Sequence, residues 1–139
     1  MNKTNEDMET EKAVKDIMDL IATQVKVWIS DCVEKADKYT KEMNEDYEHF
    51  FCWYSEDMLK VQQRLKIYRH LLKIVCAGNI DDVMKYMRHT VEQFTDDLLR
   101  GSIQGNSTKN SFNIAHLLGM EVKQQVVCEF NMMLAHIKK

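Results

Sequence analysis

The chain has 139 residues, of which 45% are hydrophobic and 29% charged, with four glycines, no proline and a net charge of −3. This composition indicates one ordered domain with enough apolar side chains for a core, and the shortage of proline and glycine excludes a loop-rich sandwich or barrel. No apolar run approaches the roughly 20 residues that span a bilayer, and the polar, acidic first residues do not resemble a signal peptide. We therefore expect an all-α domain in the cytoplasm or nucleus, with no membrane association.

The first 77 residues contain neither glycine nor proline, and their apolar side chains follow a single helical period. Eighteen apolar residues recur from Val14 to Val75 at a mean spacing of about 3.6 residues. The most polar stretch on this path is residues 37–46 (DKYTKEMNED), in which Asn44 can cap a new helix. The pattern predicts helices over residues 10–38 and 44–77 with a turn between them.

The second half of the chain carries clearer helix boundaries. Gly78 can end one helix and Asn79 can cap the next, which is predicted over residues 80–100. A stretch rich in glycine, serine and asparagine (GSIQGNSTKN) predicts a flexible loop over residues 101–110. The last apolar stripe predicts a helix over residues 111–138.

Four helices joined by short turns favour an up-and-down antiparallel four-helix bundle formed by the whole chain as one domain. The alternative is one unbroken N-terminal helix in an elongated dimer. Apolar spacings of 4, 3, 4, 3 and 4 from Val14 to Cys32 fit a coiled-coil seam and support this alternative. The turn at residues 37–46 decides between the two architectures.

The sequence contains no recognisable catalytic, metal-binding or cofactor-binding motif. It has no Glu-x-x-His pair for a di-metal bundle, no Cys-x-x-Cys, no Gly-x-Ser-x-Gly and no glycine loop that could hold a phosphate. We therefore predict that the protein is not an enzyme and carries no cofactor or metal. A bundle that carries a metal or cofactor remains an alternative.

The four cysteines suggest a different alternative, a secreted helical ligand of the cytokine type. A turn near residue 42 would place Cys32 and Cys52 at the same height, and Cys76 and Cys128 would meet at the opposite end. Two disulfides, 32–52 and 76–128, are topologically compatible with the predicted bundle. The simpler interpretation is that the cysteines are free thiols, which often behave as small buried hydrophobes.

The densest apolar cluster is a group of four aromatic residues in the second predicted helix. They are Phe50, Phe51, Trp53 and Tyr54, and on a helix they span about 160° of the circumference. A face that packs into a bundle is usually about 100° wide, so either this helix is the central, most enclosed one, or one of the rings projects as an anchor for a partner. Phe51 and Trp53 are the candidates for that anchor.

Charge is divided unequally between the two halves of the chain. Residues 1–58 contain seven lysines and 15 acidic residues, a net charge of −8, whereas residues 59–139 contain 12 basic and seven acidic residues, a net charge of +5. Lys60, Arg64 and Arg69 belong to the basic half and complete the predicted partner surface. The overall negative charge and the absence of a nucleic-acid-binding motif argue against nucleic acid.

Ten methionines add adaptable apolar surface, and Met132 and Met133, as neighbours, cannot face the same way. Taken together, the patterns predict a non-enzymatic protein–protein interaction module, either a small adaptor or a subunit of a larger complex. Its predicted partner is another protein or a second copy of the same chain, bound through an aromatic and methionine-rich helix surface.

Overall fold

The computed structural model describes residues 4–104 and 110–137, and the side chains of residues 101–112 are outside that description. In these parts of the chain there are helices and no β-strand, which confirms the all-α class predicted from the sequence. The helices are α1 (Asn5–Glu45), α2 (Tyr47–Trp53), α3 (Ser55–Cys76), α4 (Ile80–Gln104) and α5 (Asn110–Ile137).

The first helix is longer than predicted and ends at a different residue. It continues to Glu45, and the chain turns at Asp46, whose backbone is extended and whose side chain accepts a hydrogen bond from the His49 amide at 3.1 Å. Asp46 therefore caps the following helix, and the predicted cap at Asn44 is wrong. Residues 37–45 are polar mainly because they form a solvent-facing surface of α1. Tyr39, in the same stretch, packs against the core, so the helix continues through it.

The predicted second helix is divided into two. Tyr54 leaves helical geometry at ψ −8° and separates the seven-residue α2 from α3. The apolar period continues across this boundary because both helices bury one face. Sequence periodicity could not detect the break, since α3 begins without a side-chain cap at Tyr54.

The boundary between α3 and α4 is formed as the sequence predicts. Gly78 has φ +87°, which L residues rarely adopt, and the Asn79 side chain accepts hydrogen bonds from the amides of Asp81 and Asp82. Further along, α4 continues to residue 104, so the first four residues of the predicted loop are helical. The central part of that loop, residues 105–109, lies outside the described residues.

Aromatic contacts establish the directions of the first hairpin. The rings of Trp28 and Tyr68 are 5.2 Å apart between centroids, and those of Tyr39 and Tyr54 are 5.4 Å apart. Residue numbers rise in α1 as they fall in α3, so the two helices are antiparallel. The chain folds back at Asp46, and the single-rod alternative is wrong.

The second hairpin packs on α3 in the same manner. In α4 and α5, Asp97 pairs with Lys123 at 3.0 Å and Tyr86 lies near Phe130, which makes these helices antiparallel. Lys60 of α3 pairs with Glu121 of α5 at 3.4 Å, and Tyr68 contacts the residue eight positions further along α5, so α3 and α5 are parallel. These alternating directions are those of an up-and-down arrangement of α1, α3, α4 and α5.

The core lies around α3, which packs against α1, α4 and α5. Helix α1 packs mainly on α3 and leaves a groove between itself and α5. None of the helices, over the described residues, is long and apolar enough to span a membrane. The largest side chains with almost no exposed surface are Tyr68, Phe130, Ile21, Leu71 and Met87.

Candidate functional site

The four clustered aromatic residues have different environments in the structure. Phe50 is 6% exposed and belongs to the interior, whereas Phe51 is 60% exposed and Trp53 is 70% exposed. Tyr54 is half-buried, stacked on the ring of Tyr39, with the Lys38 ammonium 5.8 Å from its centroid. Phe50 and Tyr54 therefore stabilise the fold, and the exposed rings are the two candidate anchors.

Phe51 and Trp53 lie on different sides of α2. At 100° per residue, Phe51 is rotated about 100° from the buried Phe50 in one direction and Trp53 about 60° in the other. Tyr47 lies with Phe51, at 6.3 Å between ring centroids, while His49 lies 6.3 Å from Trp53. The aromatic sector is thus two exposed ring pairs with a buried phenylalanine between them.

Phe51 borders a groove of about 490 Å³ between α5 and the segment that joins α2 to α3. We call it the Phe51 groove. Its apolar walls are Phe51, Leu59, Ile114 and Leu118, with Ala115 beside them, and its polar lining is Cys52, Ser55 and Glu56. The Ser55 hydroxyl donates a hydrogen bond to the Phe51 carbonyl at 2.6 Å, which ties the beginning of α3 to this wall.

The α5 side of this groove was not anticipated from the sequence. Ile114 and Leu117 are both exposed large hydrophobic residues, one helical turn apart. Their neighbours Ala115 and Leu118 follow the predicted core stripe, so the apolar run IAHLL is wider than one stripe requires. The excess width of this apolar run could have indicated an exposed apolar surface. The same kind of signal identified the aromatic cluster at residues 50–54.

The three basic residues of the predicted partner surface are not brought together. Lys60 forms ion pairs with Asp57 at 3.6 Å and Glu121 at 3.4 Å. Arg64 is only 9% exposed, so its place on a binding surface is wrong, whereas Arg69 is exposed. The helical period explains the error, since Arg64 lies on the buried face of α3 with Val61 and Leu65.

Arg64 belongs to a buried polar network that joins α3 to α5. Its Nε donates to the Tyr68 hydroxyl at 3.1 Å, and that hydroxyl donates to Glu129. Burial raises the pKa of Tyr68, and the hydrogen bond to Glu129 acts in the same direction. Burial likewise raises the pKa of the Glu129 carboxyl, although the Tyr68 hydroxyl and the Arg64 charge oppose that shift.

This network lies beside a second groove, about 420 Å³ in volume, between α1 and α5. Glu129 and Trp28 line it, together with Leu20, Met132 and Met133. Met132 is 74% exposed and Met133 is buried, so the two adjacent methionines do face differently, as the sequence predicts. Leu20, Met132 and His136 are the exposed residues of this groove, and its other lining residues are buried or half-buried.

All four cysteines are free thiols, and the helix register separates the predicted pairs. Cys32 is level with Arg64, because Trp28 is level with Tyr68 in the antiparallel hairpin. Cys52 is therefore about 18 Å away along the helix axis. Cys128 is level with Ile67, about nine residues short of Cys76. The turn lies four residues later than predicted, and the α3–α5 register set by Tyr68 and Glu129 offsets the second pair, so neither disulfide is formed.

Over the described part of the chain, no three His, Cys, Asp or Glu side chains converge in a way that could hold a metal ion. Buried side-chain nitrogen and oxygen atoms there all have hydrogen-bond partners. Comparison of the chain with family models, curated proteins and solved structures finds no match.

Proposed function

We propose that this chain is a non-enzymatic protein-interaction module, a small adaptor or a subunit of a larger complex, that binds a partner protein at the Phe51 groove. The observation that carries the proposal is the exposed ring pair Tyr47 and Phe51 beside an apolar groove. Contiguous exposed apolar surface of this kind marks interaction sites, because leaving large rings in water costs free energy that a partner can recover.

The shape of the site favours a partner that inserts an apolar side chain. Phe51, Leu59 and Ile114 offer apolar walls, and Glu56 and Ser55 provide the polar edge on which a partner backbone or a basic side chain can bind. An amphipathic helix or a short apolar loop fits these requirements. Phe51 is the central anchor because it belongs both to the ring pair and to the groove.

The test is quantitative affinity purification with the full chain, Phe51→Ala and Trp53→Ala. Both residues are exposed rings on α2, so Trp53→Ala is a matched control for loss of an exposed aromatic side chain on the other side of the helix. We expect Phe51→Ala to lower partner recovery about tenfold or more, as loss of a central anchor does, while Trp53→Ala retains the same partners. Equal recovery of the partner by the wild type and by Phe51→Ala would contradict the proposal.

Cys52 supplies a second measurement on the same site. Its thiol is exposed and lines the groove, so a bound partner must cover it. Alkylation of Cys52 is expected to slow when the purified partner is added, whereas Cys76 in the same sample keeps its rate. Urea denaturation of each variant establishes that the fold is retained.

A further inference from the structure

The first three turns of α1 extend past the end of the bundle. Helix α3 ends at Cys76, which the antiparallel register places level with Leu20, and α5 ends at the same level. Residues 5–16 of α1 therefore have no helix beside them among the described residues, and at 1.5 Å per residue they project by about 18 Å. We call this segment the N-terminal arm.

The arm contains five acidic residues and two lysines, a net charge of −3. Glu6, Glu9 and Asp16 lie within about 80° of one another around the helix, and Ala13 lies between them. Lys12 lies at the edge of this stripe, three residues from Glu9 and four from Asp16, whereas the other lysine of the arm lies further round the helix. None of the three acidic residues forms an ion pair with another described residue. The arm thus presents a mainly acidic stripe whose three carboxylates make no ion pair with the described residues of the chain.

A cleft with the opposite charge lies at the same end of the molecule. It measures about 520 Å³ and lies between the end of α3 and the beginning of α4, with an apolar floor that includes Ile74 and Tyr86. Lys73 and Lys85 line its walls, together with His70, His89 and one acidic residue, Asp82. Neither lysine is ion-paired within the described parts of the chain. We call it the α3–α4 cleft.

The cations continue beyond the cleft along both helices. Arg69 lies one turn before Lys73 and Arg88 lies one turn after Lys85, and both are exposed. The acidic stripe and the basic surface are therefore opposite in charge.

The arm cannot reach the cleft of its own chain. It is a continuous part of α1, without an internal break from Asn5 to Glu45, and it points away along the axis of the bundle. From this geometry we infer that the arm of one copy binds in the α3–α4 cleft of a second copy. Both features lie at one end of the molecule, so two copies can exchange arms about a two-fold axis and form a closed dimer.

This inference concerns a different surface from the proposed partner site and does not depend on it. The contact is largely electrostatic and includes few apolar side chains, so the dimer is expected to be weak, with a Kd on the order of 10 µM at low salt. Screening by added salt weakens it, because the paired charges are near the surface. Concentration-dependent sedimentation of the full chain at low and high NaCl measures both effects.

Charge reversal tests the pairing directly. We expect an arm variant, Glu9→Lys with Asp16→Lys, and a cleft variant, Lys73→Glu with Lys85→Glu, each to weaken self-association about tenfold or more. A mixture of the two variants should associate again, because a basic arm then meets an acidic cleft in one contact and the original pairing is kept in the other. Lys26→Glu with Lys41→Glu lowers the net charge by the same amount as the cleft variant, outside both surfaces, and is the matched control for that variant.

Three results would overturn the inference: a monomer at every concentration at low salt, self-association that both charge reversals leave unchanged, or a mixture that does not associate. Phe51→Ala distinguishes this dimer from the proposed partner site. It should keep the arm-dependent dimer while it loses the partner, and loss of the dimer in Phe51→Ala would assign self-association to the Phe51 groove instead.

Discussion

The most constrained side chains are those of Arg64, Tyr68 and Glu129. A positive and a negative group are joined through one hydroxyl, and each is largely withdrawn from water. Buried charge is tolerated when its hydrogen bonds are complete, and removal of the linking hydroxyl takes an acceptor from Arg64 and a donor from Glu129. The network therefore stabilises the contact between α3 and α5 only as long as all three members are present.

Tyr68→Phe removes the hydroxyl that links the two charged groups and changes little else in size. We expect it to lower the free energy of unfolding by about 1–3 kcal/mol, because Glu129 loses the Tyr68 donor while it remains partly buried and Arg64 loses its acceptor. Urea denaturation measures the effect, and Tyr47→Phe, which alters an exposed tyrosine, is the matched control. Equal stability of both variants would show that the network contributes nothing.

The raised pKa of Glu129 predicts a pH dependence with a definite sign. The folded chain holds this proton more tightly than the unfolded chain, so the contribution of Glu129 to stability falls as pH rises above its ordinary value of 4.5. In Glu129→Gln the side chain at this position does not titrate. The free energy of unfolding of the variant minus that of the wild type should therefore increase from about pH 4 to about pH 7. A difference that is constant with pH would contradict the assigned shift.

Thiol reactivity should separate the four cysteines into two classes. Cys32 is fully buried and burial raises its pKa, while the other three thiols are exposed. Because the thiolate is the reactive form, Cys32 should react with a disulfide reagent only when the chain unfolds, and the other three should react in the native state. Time courses of the thiol reaction in buffer and in urea give the number of cysteines in each class. A fourth fast-reacting thiol in the native state would contradict the burial of Cys32.

At the scale of single helices, two glycines predict opposite effects of the same substitution. Gly78 has φ +87°, so an added Cβ is strained even though no atom lies nearby. Gly119 is inside α5, where a Cβ would meet only the Gln63 side chain at 3.7 Å. Gly78→Ala should lower the free energy of unfolding by about 1 kcal/mol, and Gly119→Ala should raise it by about 0.5–1 kcal/mol. Thermal or urea denaturation that gives the same sign for both would contradict these assignments.

The helices also show what the sequence could and could not predict. Periodicity and the Gly78–Asn79 boundary predicted the helical class and the start of α4, because these signals are local. The turn at Asp46 was placed too early, since a polar stretch can be either a turn or an exposed helix face. Which of two neighbouring rings is buried was also beyond the sequence: Phe50 and Phe51 are chemically alike, and only the packing of α2 on α1 and α3 distinguishes them.

At the scale of the whole molecule, the helix segments differ in how much they pack against other helices. Helix α3 contacts α1, α4 and α5, whereas the N-terminal arm contacts no other helix within the described chain. A helix segment of about 12 residues without tertiary contacts is marginally stable in water. The end of the arm is therefore expected to fray independently of the core, and binding of the helical arm in trans should protect it.

Hydrogen exchange followed by mass spectrometry tests this division. At low protein concentration and high salt, the amides of residues 5–13 should exchange early, while those of residues 21–36, which include the buried Ile21, Val25 and Cys32, should exchange late. Similar protection in the two segments would contradict the independent arm. At high concentration and low salt, dimer formation should protect the arm in the wild type but not in the Lys73→Glu, Lys85→Glu variant. The late-exchanging core is the internal control because its protection should not depend on concentration, so a rise confined to the arm separates binding in trans from general stabilisation.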